Sequence, residues 1–133
     1  MANTNGASQA SILVVDDEAL VLQTMLIILR QAGYAAEGVS TGKAALKVLD
    51  EHEPQVVLID LHLPDLDGAE VAAHSVKNRP GARTFIMTGD PQAWEDSAGG
   101  NGLFAAVEVL AKPVRPDRLL SRIEAALTGS DPS

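Results

Sequence analysis

Carboxylate, hydroxyl and ammonium side chains follow short apolar segments of this 133-residue sequence. They are the carboxylates Asp16, Asp17 and Asp60, the hydroxyl group of Thr88 and the ammonium group of Lys112. Crowded carboxylates disfavour one another's ionisation, and a divalent cation relieves that repulsion. Mg²⁺ prefers oxygen ligands and also neutralises phosphoryl oxygens. These residue types therefore indicate metal-assisted transfer of a phosphoryl group to a carboxylate.

Asp60 is the residue best suited to accept the group, because carboxylates form acyl phosphates in enzymes. Lys112 would neutralise one phosphoryl oxygen, and the hydroxyl group of Thr88 would donate a hydrogen bond to another. We expect Asp16, Asp17 and Asp60 to form one Mg²⁺ site.

Each of these residues also has an ordinary structural explanation. Asp17 could cap the helix that follows it, and Asp60 could be a solvated turn residue. Thr88 with Gly89 could form only a turn, and Lys112 could be a solvated lysine. The interpretation as a site therefore depends on the joint occurrence of these residues at the ends of predicted strands.

The elements that must position these residues alternate along the chain. Predicted strands lie at Ser11–Val15, 34–39, 55–59, 84–87 and 106–110. Predicted helices lie at 19–32, 42–52, 69–78 and 91–104, and from 116 to about 127. The first, third and fourth strands are continuous apolar runs, as expected for strands buried on both faces. This alternation predicts an α/β fold with a parallel sheet, whose ligands bind beyond the carboxyl ends of the strands.

The composition excludes several classes of function. The chain has no Cys and 3 His without metal-ligand spacing, so disulfides, thiolate metal sites and cysteine nucleophiles are excluded. The 10 basic and 18 acidic residues give a formal net charge of -8, so we expect no direct nucleic-acid binding and no membrane binding. We find neither a membrane-spanning apolar run nor a signal peptide, and we predict a cytoplasmic protein.

In combination, these motifs resemble those of receiver domains in the two-component response-regulator family, to which chemotaxis regulators belong. The matching motifs are VVDDE with Asp16 and Asp17, LIDLHLPDLDG with Asp60, Pro64 and Gly68, MTG with Thr88, and LAKP with Lys112 and Pro113. The resemblance predicts a receiver domain at 11–128, and the small, polar residues outside it predict a flexible leader at 1–10 and a frayed tail at 129–133. It implies a flavodoxin-like (βα)5 fold, a doubly wound parallel sheet with strand order 2-1-3-4-5.

The resemblance implies a signalling module and not an enzyme, although the module catalyses its own phosphorylation and dephosphorylation. Asp60 would receive the phosphoryl group from a phosphohistidine of a sensor histidine kinase or a histidine phosphotransfer protein. Thr88 and Lys112 would hold the phosphoryl oxygens. The Lys112–Pro113 peptide bond would be cis.

The resemblance also implies a set of metal ligands. Asp17, Asp60 and the backbone carbonyl of His62 would bind Mg²⁺ directly. Asp16 would contribute mainly through water.

One position departs from the pattern of the family. The family usually has an aromatic residue three positions before the lysine, and Val109 stands there in this sequence. Valine has no ring to rotate inward when Thr88 moves, and its side chain is stiff. We therefore expect the response in the loop after Thr88 and in 91–104, and an output partner on the face formed by 91–127.

The segment 91–104 is the weakest of the predicted helices, because three glycines between positions 99 and 102 interrupt it. Asp90 precedes this segment. It could cap the helix, or it could orient a water molecule that hydrolyses the phosphoryl group. His62 is the second residue placed to set the rate of that hydrolysis.

Two other functions use similar chemistry or the same fold. A Mg²⁺-dependent phosphatase of the haloacid-dehalogenase-like class carries a D-x-D pair on its first strand, whereas Asp60 follows the third strand and has His62 two residues later. A flavin-binding electron carrier needs a hydroxyl-rich phosphate loop after the first strand, where this chain is acidic at 16–18. The motifs therefore favour the signalling module over both.

Overall fold

The structure is a computed structural model that describes residues 10–98 and 102–129. Its strands are β1 (Ser11–Val15), β2 (Ala35–Val39), β3 (Val56–Asp60), β4 (Arg83–Thr88) and β5 (Glu108–Ala111). Its helices are α1 (Ala19–Gln31), α2 (Gly42–Glu51), α3 (Gly68–Asn78), α4 (Pro91–Ala98) and α5 (Pro116–Thr128), with a 3₁₀ turn at Gly102–Phe104. The strands form one parallel sheet in the order β2-β1-β3-β4-β5. The predicted flavodoxin-like fold and its strand order are thus confirmed.

Both faces of the central strands are buried, which explains their continuous apolar sequences. Ile12 and Val14 of β1 belong to the apolar cluster that includes residues of α1 and α5. Leu13 and Val15 belong to the cluster on the opposite face, which includes residues of α2 and α3. Side chains of a strand alternate between its faces, so a strand covered on both sides is apolar along most of its length.

Two side chains, Thr41 and Asp65, accept hydrogen bonds from backbone N–H groups at the start of α2. Thr41 is the N-cap residue of α2, and its hydroxyl group accepts a hydrogen bond from the backbone N–H of Ala44 at 3.1 Å. The carboxylate of Asp65 accepts from the backbone N–H groups of Gly42 and Lys43 at 2.8 and 2.9 Å. The bond from Lys43 is the main reason why the pKa of Asp65 lies below its usual value. These hydrogen bonds connect the loop between β3 and α3 to the start of α2.

Two predicted boundaries near the last strand are wrong. Helix α4 ends at Ala98 instead of continuing to 104, and β5 covers Glu108–Ala111 instead of 106–110. The backbone N–H groups of Ala105 and Val107 donate to the carbonyl groups of Gly102 and Phe104, so this stretch continues the 3₁₀ turn. The strand therefore begins only after the turn has closed.

Other calls from the sequence lie partly outside the described residues. Gly99 and Gly100 are not among them, and of the predicted leader and tail only Ala10 and Gly129 are described. No helix within 10–98 or 102–129 combines the length and the apolar character needed to cross a bilayer.

The loop after β3 closes tightly on the end of that strand at Gly68. The backbone N–H of Gly68 donates to the carbonyl oxygen of Leu61 at 2.8 Å. A Cβ atom at Gly68 would lie 2.4 Å from the carbonyl oxygen of Asp60 and 2.7 Å from the Cα atom of Leu61. No side chain fits between two backbone segments at such distances, so this position requires glycine.

We predict that Gly68→Ala lowers the free energy of unfolding by about 1–3 kcal/mol, because backbone atoms must move to admit the methyl group. Urea unfolding followed by circular dichroism measures the loss. Gly81→Ala is the matched control, since a Cβ atom there meets no other atom within 4 Å. Equal stabilities of the two variants would contradict this account of the loop.

Candidate functional site

Three carboxylates meet where β1 and β3 end. Asp16 directly follows β1 and is completely buried, and its backbone N–H donates to the carbonyl oxygen of Val39 at 3.1 Å. Asp60 is the last residue of β3 and is 6% exposed, whereas Asp17 is exposed. One oxygen of each carboxylate lies within 4.8 Å of those of the other two. The carboxylates predicted from the sequence are therefore brought together, with oxygen atoms spaced to share one cation.

The ammonium group of Lys112 lies among these carboxylates. Its Nζ atom is 3.2 Å from Oδ2 of Asp16, 3.4 Å from Oδ1 of Asp60 and 3.8 Å from Oε1 of Glu18. The backbone N–H of Lys112 donates to the carbonyl oxygen of Thr88 at 2.8 Å, which fixes the start of the side chain beside β4. The Lys112–Pro113 peptide bond is cis, as the resemblance implied.

Burial and charge shift the pKa values at this site. Burial raises the pKa of the Asp60 carboxyl group, and the neighbouring Lys112 charge offsets this only in part. Burial alone would lower the pKa of Lys112, but the charges of Asp16 and Asp60 together outweigh it and raise that pKa. The ammonium group therefore keeps its proton. A further positive charge beside Asp60 would favour its ionised form, which is the form able to attack phosphorus.

Thr88 ends β4 beside the carboxylates and is 1% exposed. Its Oγ1 atom accepts a hydrogen bond from the backbone N–H of Asp90 at 3.0 Å. Oδ1 of Asp90 in turn accepts from the backbone N–H of Ala93 at 3.1 Å. Of the two roles open for Asp90, the structure shows the helix cap.

The structural explanation offered for Asp17 is wrong. The residue at the N-cap position of α1 is Glu18, and its side chain makes no capping hydrogen bond. The backbone N–H of Glu18 donates instead to Oδ1 of Asp16 at 3.0 Å. The Asp17 carboxylate does not cap α1, and one of its oxygens lies in the carboxylate cluster.

The three histidines lie at different places. The backbone N–H of His62 is 3.4 Å from Oδ1 of Asp60, and its side chain is exposed. The ring of His74 on α3 contacts Oδ1 of Asp50 at 2.8 Å, and the ring of His52 contacts Glu37 at 3.5 Å. Only His62 is therefore adjacent to the site.

An apolar groove beside the site was not predicted from the sequence. It encloses a cavity of about 580 Å³ between α1 and the segment 112–119. Leu20, Val21 and Thr24 line one side, and Pro113 and Leu119 line the other. Leu20 is 81% exposed although it is a large apolar residue. Helical periodicity identifies the apolar face of a helix but does not tell whether another element covers that face. The sequence therefore could not predict the groove, which the structure shows through its lining residues and the exposure of Leu20.

Comparison with known proteins agrees with this geometry. A family model for the response regulator receiver domain matches residues 12–124. Transcriptional regulatory protein KdpE of Mycobacterium tuberculosis is 31% identical over 116 residues, which are 87% of this chain and 50% of KdpE. DNA-binding response regulator MtrA of Mycobacterium leprae is 30% identical over 120 residues, which are 90% of this chain and 52% of MtrA. The chain spans about half the length of these curated relatives.

Solved structures give the same result. A CheY-like response regulator receiver domain protein from Methanospirillum hungatei is 30% identical with a TM-score of 0.76, covering 91% of this chain and 95% of that one. The receiver domain of sensor histidine kinase PA1611 from Pseudomonas aeruginosa is 26% identical with a TM-score of 0.77, covering 92% and 99%. That structure has a magnesium ion coordinated in its active-site cleft.

The family match covers nearly all of the described residues, so the phosphatase and flavin-carrier alternatives lose their support. The acidic pocket at the ends of β1 and β3 fits phosphorylation with a divalent metal ion. With its fold, its pocket and its relatives in agreement, the chain belongs to the receiver-domain family of two-component response regulators.

Proposed function

We propose that Asp60 accepts a phosphoryl group from a phosphohistidine of a sensor histidine kinase or a histidine phosphotransfer protein. The observation that carries this proposal is the carboxylate cluster around Lys112, in which Asp60 is the member on the central strand β3. Phosphorylation would then change an output face formed by 91–127. A cytoplasmic location and the absence of direct nucleic-acid binding remain predictions.

The carboxylate cluster suits Mg²⁺ because all of its side chains offer oxygen ligands. Asp17 and Asp60, with the backbone carbonyl of His62, would hold the ion, and Asp16 would act mainly through water. When bound, the ion neutralises carboxylate and phosphoryl oxygens, which lowers the repulsion between the acceptor and the incoming group.

The side chains of the chain supply the remaining steps. An oxygen of Asp60 forms a bond to phosphorus while the bond from phosphorus to the donor's imidazole nitrogen breaks and its electron pair returns to the ring. Lys112 holds one phosphoryl oxygen. The hydroxyl group of Thr88 donates a hydrogen bond to another, since the bond from the Asp90 N–H uses only a lone pair of the hydroxyl oxygen. Attack of water on phosphorus later releases phosphate and restores the carboxylate, so the module catalyses both its own phosphorylation and its dephosphorylation.

The apolar groove is the surface we propose for the phosphoryl donor. It adjoins the site directly, because Glu18 and Lys112 line both. A protein that presents a histidine to Asp60 must cover the surface next to the site. Leu20 is exposed, so a partner that covers it removes apolar surface from water, which favours association.

The acceptor is tested by treatment with acetyl phosphate and Mg²⁺, followed by intact-mass analysis. We expect one added phosphoryl group on the parent protein and on Asp117→Asn, a control on the exposed start of α5. Asp60→Asn should gain none, because an amide oxygen is a poor nucleophile. Labelling of Asp60→Asn to the same extent as the parent would overturn the assignment.

The metal site is tested by calorimetric titration with MgCl₂. We expect Asp17→Asn to weaken Mg²⁺ binding by at least about tenfold, the loss that is typical even of outer-shell partners. Asp117→Asn again serves as the control and should bind like the parent. If Asp17→Asn binds Mg²⁺ as tightly as the parent, Asp17 is not a ligand.

The donor surface is tested by comparing a protein donor with a small-molecule donor. Leu20→Ala should slow phosphotransfer from a phosphorylated histidine phosphotransfer domain about fivefold, as expected for loss of about 1 kcal/mol at an interface. Labelling by acetyl phosphate should not change, because Leu20 touches none of the reacting groups. Ile27→Ala is the control on the same helix, since Ile27 is 54% exposed and does not line the groove. If Leu20→Ala slows transfer from both donors equally, or slows transfer from neither donor, the groove is not the donor-binding surface.

A further inference from the structure

Helix α4 is joined to the phosphorylation site by hydrogen bonds that start at Thr88. The hydroxyl oxygen of Thr88 accepts from the backbone N–H of Asp90, whose carboxylate caps α4 through Ala93. The carbonyl oxygen of Asp90 accepts from the backbone N–H of Trp94 at 3.4 Å. A displacement of the Thr88 hydroxyl group therefore acts directly on the first turn of α4.

Within 91–96, the part of α4 whose side chains are described, Trp94 is the side chain that packs into the core. Among residues 91–96 it alone is buried, at 3% exposure, while its neighbours Ala93 and Glu95 are exposed. Its ring meets that of Phe104 edge to face, with centroids 5.1 Å apart and an interplanar angle of 63°. The interaction energy of an edge-to-face aromatic pair depends on the relative position of its rings, so movement of α4 would change the contact between Trp94 and Phe104.

Val109 lies in the same apolar cluster as this pair. It stands opposite Ile86 in the register of β4 and β5 and packs, partly buried, against the cluster that contains Trp94. Valine offers no ring that could exchange between an inward and an outward position. The aromatic groups that can change their contacts in this cluster are thus supplied by α4 and the 3₁₀ turn.

We propose that the Trp94–Phe104 pair transmits the state of Asp60 to the output face, in place of an aromatic residue at position 109. The inference rests on the proposed phosphorylation of Asp60. When the Thr88 hydroxyl group moves to donate to a phosphoryl oxygen, the hydrogen bond that its oxygen accepts from the Asp90 N–H draws the start of α4 with it. Trp94 then shifts against Phe104, and the surface around the 3₁₀ turn and β5 rearranges. Only contacts that differ between the two states drive this shift, and the Thr88 bond is such a contact.

Trp94 is the single tryptophan of the chain, so its fluorescence reports on the pair directly. We measure its emission with and without Mg²⁺ and beryllofluoride, and fluorine NMR of the same samples shows whether beryllofluoride is bound. We expect a change in emission maximum and in acrylamide quenching for the parent and for the control Ile27→Ala. At full occupancy Thr88→Ala should lose most of this response, and Thr88→Ser should retain it, because serine keeps the hydroxyl group.

A second variant separates the two members of the pair. Phe104→Leu should still be labelled by acetyl phosphate, because Phe104 touches none of the reacting groups. On beryllofluoride binding, amide hydrogen exchange should change in 91–98 of this variant as in the parent. The change in 102–111 that the parent shows should be lost.

Each outcome separates the inference from the function on which it rests. No bound fluorine signal for the parent would overturn the proposed function and the inference together. A bound signal with unchanged Trp94 emission, or a full response in Thr88→Ala, would overturn the inference alone. Retention of the 102–111 change in Phe104→Leu would exclude Phe104 from the transmission.

Discussion

The charge of Lys112 compensates two carboxylates that the fold has removed from water. An unpaired carboxylate in such a position is costly, and removing the partner of a buried charge typically costs about 3–5 kcal/mol. Asp16 comes from β1, Asp60 from β3 and Lys112 from the end of β5, so the ion pairs connect three strands that the sequence separates widely. Since β4 lies between β3 and β5, Lys112 and Asp60 together bridge two strand spacings of about 4.8 Å each, and Asp16 lies one strand further away. Only a long side chain can reach both carboxylates.

The ion pairs of Lys112 do not neutralise all the negative charge of the site. The carboxylates of Asp16, Asp17 and Asp60, together with that of Glu18 at the rim, outnumber the single ammonium group, and a divalent cation would offset part of this excess of negative charge. The exposed Asp17 keeps one side of the cluster open to solvent, so the site that balances its charge with an ion can also admit a phosphoryl group. Burial on one side and access on the other follow from the position of the acids at the strand ends, where the sheet stops and the helices have not yet begun.

Much of this arrangement is predictable from the sequence, because the spacing of apolar residues and the polar residues that follow each strand are local properties of the chain. The continuous apolar runs of β1, β3 and β4 predict strands covered on both faces, and parallel strands bring their polar ends to one edge. The predicted end of α4 and the predicted start of β5 are wrong, because backbone hydrogen bonds of the 3₁₀ turn occupy the residues before Glu108 and the strand begins only there. Asp90 had two roles compatible with its position, and only the direction of its carboxylate towards Ala93 distinguishes them. The groove and the His74–Asp50 contact depend on how separate helices pack, which no local pattern encodes.

The two sides of the site differ in how firmly they are held, and under the proposed phosphorylation of Asp60 this difference would determine which side moves. On the acceptor side, the loop after β3 is closed by Gly68 against backbone atoms and tied to α2 by Asp65. Movement there would have to break several contacts at once. On the Thr88 side, α4 is a short helix whose described side chains are mostly exposed and whose hold on the core is Trp94. Regions with few buried contacts open at the lowest free-energy cost, so a perturbation between the two sides displaces α4 before it displaces the acceptor loop.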